Sequence, residues 1–594
     1  MPKRLVRTLT PAGPMTARKR PREAAMPRTL PSFSSLDPVR LARDAATRDG
    51  TDAARPFAED LEADLELSGI AFASSDASLQ TQYYRALGIL LGCVLPSPSG
   101  GPMLIEGGPY RGAWLESTAT IGAETLSRFC PSAARSTFLT FAALRRDDGL
   151  IPYKVLPPGG AAGSGGPSYR QVQMVTPLAR SAWIHAATNR EGPAFLGKMY
   201  EAMSANDSWL AAHRDTRGSG GVEAFCAFDT GHDLSPRFWH VPDTTWLEDP
   251  ARCDPDSPLV PYIAPDMTAN VYCQRLYLSR IASELGRGAE AVEWKAKAER
   301  SLECLMETCW DEEDGFFYDL DREGRFVRVQ SDVLLRVLAC EVGDDELFAR
   351  ACSRYLLNTR KFFARFPFTS VAMDDPRFDP SSAYNTWGGT TNTLSILRAP
   401  AAFEAHGRHA ELALALGRAL AAYSRMKGFG QTLSPYTGAE GYTEGYTPTL
   451  LGLLDAIERL VGIMPRPEGE LWFSCMPLPA GAAPRAEAAS TSYSRRVDGR
   501  TFELECSLEG ARAFVDGEEL FSCPRGVRVA TTRDGRLLSV TGLSPRGAEG
   551  RLRTPAAALA PDGLPFAVGP NEVLRLEESS LSSPGGPGFI APSW

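Results

Sequence analysis

Histidine is scarce in this 594-residue chain: six are present, and they form no metal-ligand motif, so no metal ion is expected. The twelve cysteines stand singly with no Cys-x-x-Cys pair, and Cys304 and Cys309 are merely near neighbours on one amphipathic segment. This spacing excludes a zinc ribbon and the disulfide framework of a short secreted domain; buried free thiols in a reducing, cytoplasmic compartment are expected. No run of about 18 apolar residues occurs, so no membrane span is expected. Positive charge is in deficit: 63 Lys and Arg stand against 72 Asp and Glu, for a net charge of -9. No basic stripe of the kind that binds nucleic acid is present, and the expected partner is a neutral or small polar ligand. The glycine-rich stretch 159–166 lacks the Lys-Ser/Thr of a phosphate loop, so it reads as a flexible insertion, and no cofactor is implied.

Glycine (54) and proline (46) are plentiful beside a hydrophobic content of 43%, which predicts a stable core carrying elaborated loops. Residues 1–33 hold Lys3, Arg4, Arg7, Arg18, Lys19, Arg20 and Arg22 without the apolar centre of a secretory signal. A disordered basic tail is expected there. Its basic, acid-poor composition also resembles an organelle transit peptide.

Apolar residues recur at three- and four-residue steps through 78–92, 115–128, 132–144, 172–187, 194–213, 265–285, 288–309, 329–341, 345–356, 390–404, 408–425 and 446–461. Segments such as 290–306 and 410–423 set an apolar face against a polar one, as outer helices do. Those at 172–187 and 446–461 are more apolar throughout, as inner helices are. About six such hairpins would close into an (α/α)6 barrel spanning 34–464, open to loops at one end. After Pro465 the pattern becomes short alternating runs at 470–473, 501–505, 511–515, 527–531 and 537–541, with Asp516-Gly517 and Asp534-Gly535 as turns. The expected class is therefore mainly α, with a small C-terminal β domain over 465–594.

The loop Thr230-Gly231-His232-Asp233-Leu234-Ser235-Pro236-Arg237-Phe238-Trp239 holds a carboxylate between a glycine turn and a Ser-Pro-Arg bend. Phe238 and Trp239 would desolvate Asp233 and raise its pKa, whereas Arg237, if aimed at it, would lower it. A carboxyl that serves as an acid near neutral pH needs the first influence to win.

The Gly-x-Asp-x-Ser-Pro-Arg-aromatic pattern of residues 231–238 resembles the acid loop of six-hairpin glycosidases related to mannosylglycerate hydrolase and processing α-glucosidase. The resemblance implies that Asp233 protonates the leaving glycosidic oxygen of a small carbohydrate substrate. Leu234 replaces the usual Asn or Asp, and His232 a smaller or apolar residue. The stretch Trp310-Asp311-Glu312-Glu313-Asp314-Gly315-Phe316-Phe317-Tyr318-Asp319 is similar to the family's Gly-Phe-Tyr-Asp hairpin and bears on the fold. Gly112-Ala113-Trp114-Leu115-Glu116-Ser117-Thr118 resembles a Trp-x-Asp-Ser/Thr motif whose acid grips sugar hydroxyls, with Glu116 one methylene longer. Tyr384-Asn385-Thr386-Trp387-Gly388-Gly389-Thr390-Thr391-Asn392 is a looser match. There Trp387 would stack on a sugar face, or else pack in the core, and Asn392 would bond hydroxyls.

In Phe429-Gly430-Gln431-Thr432-Leu433-Ser434-Pro435 the family's water-activating glutamate is replaced by Gln431, and an amide cannot accept water's proton. Three readings stay open. Glu440 or Glu444 takes the base role while Gln431 orients the water; an anion such as phosphate replaces water; or the cleft binds carbohydrate without turnover. The leading expectation is an inverting glycoside hydrolase with Asp233 as general acid and Glu440 or Glu444 as base. Trp114, Glu116, Arg237, Trp239, Trp387, Asn392 and Gln431 are the expected substrate-binding residues.

Overall fold

The computed structural model describes residues 36–48, 57–159, 165–174, 176–381, 387–478, 488–555, 562–577 and 580–593. The basic tail, most of the glycine-rich stretch 159–166, and Tyr384, Asn385 and Thr386 lie outside the described residues.

Fourteen α-helices are present among the described residues: α1 (Pro38–Arg48), α2 (Ala58–Ser68), α3 (Ala77–Leu91), α4 (Ala123–Leu126), α5 (Pro131–Ala143), α6 (Leu178–Asn189), α7 (Pro193–His213), α8 (Pro265–Glu284), α9 (Gly288–Cys304), α10 (Val333–Leu338), α11 (Asp345–Ala351), α12 (Thr393–Ala405), α13 (His409–Tyr423) and α14 (Thr447–Val461). Each of the twelve segments expected to be helical overlaps one of these. Helices α1 and α2 were not expected. The segment at 172–187 begins its helix only at Leu178, because Gln173 has a positive φ of 47° and Pro177 precedes the first turn.

Starts are set by local chemistry. Asp76 accepts from the backbone of Ser78 and Leu79 at the head of α3, and Asn392 does the same for Leu394 at the head of α12. Proline opens α5, α7, α8 and α14, where its missing N–H leaves no bond unmade. A π-helical turn, Ser117–Gly122, leads into α4.

Burial separates two kinds of helix. Helix α9 buries Ala291, Trp294, Ala298, Ser301 and Cys304, a single face at three- and four-residue steps. Nearly every residue of α14 is buried. Contacts run from α4 to α6, then to α8, α10, α12 and α14, and α14 returns to the turn before α4. Helices α3, α5, α7, α9 and α13 pack on this circuit, while Phe348 of α11 meets Phe403 of α12 edge-on at 5.3 Å.

The C-terminal strands form two larger sheets. One orders its strands Ala71–Ser74, Ser490–Val497, Arg500–Ser507, Ala511–Val515 and Glu518–Cys523; the other orders Ile463–Pro465, Glu470–Cys475, Val527–Thr532, Leu537–Gly542, Val573–Glu577 and Ser580–Ser582. Phe473 of the second contacts Phe502 and Phe521 of the first, at 6.0 and 5.4 Å between ring centroids, so the sheets pack face to face. The strand at Ala71–Ser74 ties the segment before α3 into this β region. Asp516 and Gly517 both take positive φ, as a two-residue hairpin turn requires.

The C-terminal ends of the inner helices face the β region across a cavity of about 690 Å³. Its arginines are largely paired: Arg128 and Arg459 with Asp455, and Arg466 with Glu404. No described helix is long and apolar enough to cross a membrane. Among the described residues no three His, Cys, Asp or Glu side chains are grouped to hold a metal.

Candidate active site

The opposite end of the helical circuit, at the helix N-termini, gathers the residues singled out in the sequence. Between α7 and α8, Ser235 accepts from the Arg237 amide at 3.4 Å and opens the short helical turn Pro236–Phe238. This turns Arg237 inward, where it is buried. Its Nε donates to Asp319 at 2.8 Å, one terminal nitrogen to His232 Nδ1 (2.7 Å) and Asp266 (3.0 Å), and the other to Asp266 (3.0 Å) and Asp319 (2.7 Å). All five N–H donors are thereby committed. The expectation that Arg237 binds substrate is therefore corrected: it anchors the loop from beneath. Burial alone would raise the Asp266 carboxyl, but Arg237 and Arg336 outweigh it and hold the group well below the usual range.

His232 lies beneath the loop as well. Burial and the Arg336 charge push its pKa down to about 3, so it is neutral near physiological pH. Its Nε2 lies 2.8 Å from Asp332, and its ring packs on Trp387 with centroids 4.8 Å apart. Trp387 is 1% exposed, donates its backbone N–H to the Asp233 carbonyl at 3.1 Å, and carries the Arg336 guanidinium over its ring at 4.7 Å. It buttresses the acid loop and has no free face for a sugar, which corrects the stacking role and agrees with the packing alternative. Arg336 also donates to the Thr230 carbonyl at 2.7 Å, joining α10 to the loop.

With its neighbours locked inward, Asp233 stands partly exposed at the loop tip, between buried His232 and exposed Leu234. Leu234 has φ of +60°, a left-handed conformation that Asn and Asp adopt more readily than leucine. This gives a physical reason for the residues usual there in the resembling family. The Asp233 charge is felt at both Glu106 and Tyr110. Trp239 is 55% exposed on the same loop.

Glu116, expected to grip hydroxyls, is 4% exposed. Its Oε1 lies 3.3 Å from Arg336 and 3.4 Å from Arg398, and its Oε2 accepts from Gln173 at 3.5 Å. The role is corrected from ligand contact to buried counter-ion. Burial lifts its pKa despite both arginines. A Cβ added at Gly231 would lie 1.9 Å from Glu116 Oε2, and Gly231 has φ of +65°. Gly231→Ala should therefore displace Glu116 and destabilise the fold by at least about 1–2 kcal/mol from the left-handed backbone alone. An unchanged urea midpoint would contradict this.

Gln431, 4% exposed, accepts from the Tyr110 hydroxyl at 3.2 Å and donates to the Tyr446 hydroxyl at 3.4 Å. Tyr446 in turn donates to Glu106 at 2.8 Å. Burial raises Glu106 to about 8, with the nearby charges of Glu116 and Asp233 adding to the rise and the hydrogen bond from Tyr446 and the nearby Ser117 hydroxyl opposing it. Neither expected base shares this chain. Glu440 accepts from the backbone N–H groups of Lys427, Gly428 and Gly430, so its oxygens clamp the turn that presents Gln431. Glu444 is exposed, and among the described residues its carboxylate has no hydrogen-bond partner. Asn392 is fully buried and caps α12 at 3.0 Å, which corrects its expected contact with hydroxyls. Trp114 is half-buried, edge-on to Tyr110 at 5.5 Å and under Lys154 at 5.3 Å. The supporting residues Glu106, Tyr110, Asp266, Asp319, Asp332, Arg336 and Tyr446 were not picked out from the sequence.

Loops meeting over one end of a helical circuit, with a partly exposed carboxyl on a rigid base, are the arrangement that the resemblance to six-hairpin glycosidases implies. Residues 113–449 match the family described as mannosylglycerate hydrolase MGH1-like glycoside hydrolase domain. The chain belongs to this family of glycoside hydrolase domains. No curated protein matches it in sequence. Among solved structures it resembles a sialidase, at 15% identity and TM-score 0.59, over 83% of this chain and 44% of that one. The chain thus spans less than half the length of that protein. It also resembles the GH63 mannosylglycerate hydrolase from Thermus thermophilus in complex with Tris, at 19% identity and TM-score 0.52, over 63% of this chain and 99% of that one. The complex of that enzyme with Tris and D-glycerate gives 20% identity, TM-score 0.52 and the same coverage. At these identities the likeness is one of fold.

Proposed function

We propose that the protein is a glycosidase that cleaves a small saccharide or glycoside with inversion, on an (α/α)6 barrel spanning 34–464, with 465–594 as a β domain that buttresses it. The contact circuit from α4 through α14 and back supports the barrel. The observation that carries the catalytic reading is the posture of Asp233: it is partly exposed on a loop whose His232, Arg237 and Trp387 supports are all buried and bonded. Such a carboxyl holds its position without being neutralised by Arg237, and it protonates the departing oxygen. Tyr110, held from beneath by Gln431, orients the attacking water, while Trp114 and Trp239 offer apolar faces to the sugar. Inversion requires about 6.5–9.5 Å between the acid and the group that takes water's proton, leaving room for the water.

One relative in fold is a mannosylglycerate hydrolase and the acid loop resembles that of processing α-glucosidases, so manno- and gluco-configured glycosides are the first substrates to test. Incubation with mannosylglycerate and with the α- and β-fluorides of mannose and glucose is expected to release free sugar in at least one case. Binding of all of them without turnover would contradict the reading.

A further inference from the structure

An inverting hydrolase needs a proton acceptor for its water, and the two acidic residues closest in sequence to Gln431 do not supply one. Glu440 is taken up by three backbone N–H groups. Glu444 is exposed and makes no hydrogen bond to Tyr110, Gln431 or Tyr446. The carboxylate that does connect to Gln431 comes from another part of the molecule. Glu106 sits in the loop Ile105-Glu106-Gly107-Gly108-Pro109-Tyr110, and its backbone carbonyl accepts from Thr447 at 2.8 Å, fixing it against the head of α14.

Four side chains stand in series with one direction of donation. The Tyr110 hydroxyl donates to Gln431 Oε1 at 3.2 Å, Gln431 Nε2 donates to the Tyr446 hydroxyl at 3.4 Å, and that hydroxyl donates to Glu106 Oε1 at 2.8 Å. The outer member, Tyr110, is partly exposed beside Trp114 and within the field of Asp233; the inner three are buried. An amide in such a series passes a proton by taking one on oxygen and releasing one from nitrogen.

We propose that Glu106 receives the proton of the attacking water through Tyr110, Gln431 and Tyr446, and so replaces the missing base. This rests on the hydrolytic reading given above. As the water oxygen bonds the anomeric carbon, its proton passes to the Tyr110 oxygen and the Tyr110 proton to Gln431 Oε1. Gln431 Nε2 gives a proton to Tyr446, and Tyr446 gives its own to Glu106. The bond to the leaving oxygen breaks with the proton of Asp233. Glu106 ends protonated, Asp233 ends ionised, both tyrosines are unchanged, and Gln431 ends as its imidic acid, which returns to the amide by exchange with water. Glu106 touches neither sugar nor water; it is a positioning residue that sets the direction of the chain and holds the proton.

The groups facing Glu106 are Tyr446, Ser117, Glu116, Tyr110 and Asp233. Burial, with the charges of Glu116 and Asp233, lifts it to about 8. Protonation of Asp233, which the reaction requires, removes one of these influences. Because an acceptor must be ionised, kcat/KM should rise with pH through a limb well above the ordinary carboxylate range.

The test uses the glycosyl fluoride that the wild type hydrolyses best, because fluoride departs with little help from an acid. Glu106→Gln is expected to lower kcat by about 10²–10⁴-fold with KM little changed. Adding Gln431→Glu places a carboxylate directly beside Tyr110 and is expected to restore most of that loss. Wild-type rates for Glu106→Gln would overturn the proposal, as would a folded but inactive Glu106→Gln that Gln431→Glu does not rescue. Should Glu106→Gln fail to fold, the wild-type profile decides: a limb above pH 6 supports the proposal and one at ordinary carboxylate values overturns it. Asp233→Asn assayed in parallel on an unactivated glycoside keeps the two readings apart, since full activity there defeats the acid assignment and leaves the Glu106 result to stand separately.

Discussion

Asp233→Asn should lower kcat on an unactivated glycoside by about 10²–10⁴-fold, the usual contribution of a positioned general acid. Asparagine keeps the size and the backbone of the loop tip but has no proton to give to a departing alkoxide. The supports below are untouched, because His232, Arg237 and Trp387 are held by Asp332, Asp266, Asp319 and Arg336 and not by the Asp233 carboxyl in any of these contacts. Binding of substrate and the unfolding midpoint should therefore be little changed. The loss should also depend on the leaving group: glycosyl fluorides, whose departure needs little protonation, should be largely spared. Steady-state rates of the variant on both substrate types check this. An equal loss on both would point to a disturbed loop and not to a missing proton.

The second large effect is expected on stability. Arg237→Met removes a buried cation that serves Asp266, Asp319 and His232 at once. Two carboxylates are then left in the interior without their main partner, and breaking a buried ion pair from one side costs about 3–5 kcal/mol. Asp266, now below the usual carboxylate range chiefly because Arg237 and Arg336 overcome its burial, should move up. Arg237→Lys should recover only part of the loss, since a single ammonium cannot reach acceptors on three residues in the geometry of a guanidinium. Urea unfolding of Arg237→Met, Arg237→Lys and the Arg237→Met, Asp319→Leu pair measures this. A change below about 1 kcal/mol for Arg237→Met would mean that the cluster is hydrated and not a buried network. Activity should fall alongside stability, because the same guanidinium fixes the turn that carries Asp233.

Much of the helical architecture was legible because its signal is local. Outer helices such as α9 display one apolar face, and inner ones such as α14 are apolar almost all round. The strand Ser490–Val497 escaped notice because most of its buried positions carry Ser, Thr and Arg, with only Tyr493 and Val497 apolar among them. Arg495 is buried there against Glu458 and the carbonyls of Ile463 and Arg128, contacts that no local pattern announces.

At the site, the short motifs located the acid loop and Gln431, and the loops do converge. What they could not supply was the direction of each side chain. Arg237 reads as a ligand-facing cation in a loop rich in aromatics, yet Asp319, at the end of a hairpin taken only as a mark of the fold, and Asp266 draw it inward. Trp387 and Asn392 sit in loop segments that resemble sugar-binding ones, but close packing leaves them no exposed face. Glu106 meets Tyr446 across 340 positions of sequence, from a Gly-Pro loop with neither helical nor strand periodicity. Only closure of the chain brings them together.

The most direct measurement is the configuration of the first sugar released, followed by proton NMR of the anomeric signals during rapid hydrolysis of a glycosyl fluoride. Water admitted opposite the leaving group gives the inverted anomer first, with the other appearing only as the sugar mutarotates. Initial formation of the inverted anomer is the predicted result; initial formation of the retained anomer would contradict the account, because it demands a carboxylate nucleophile where the chain places Gln431.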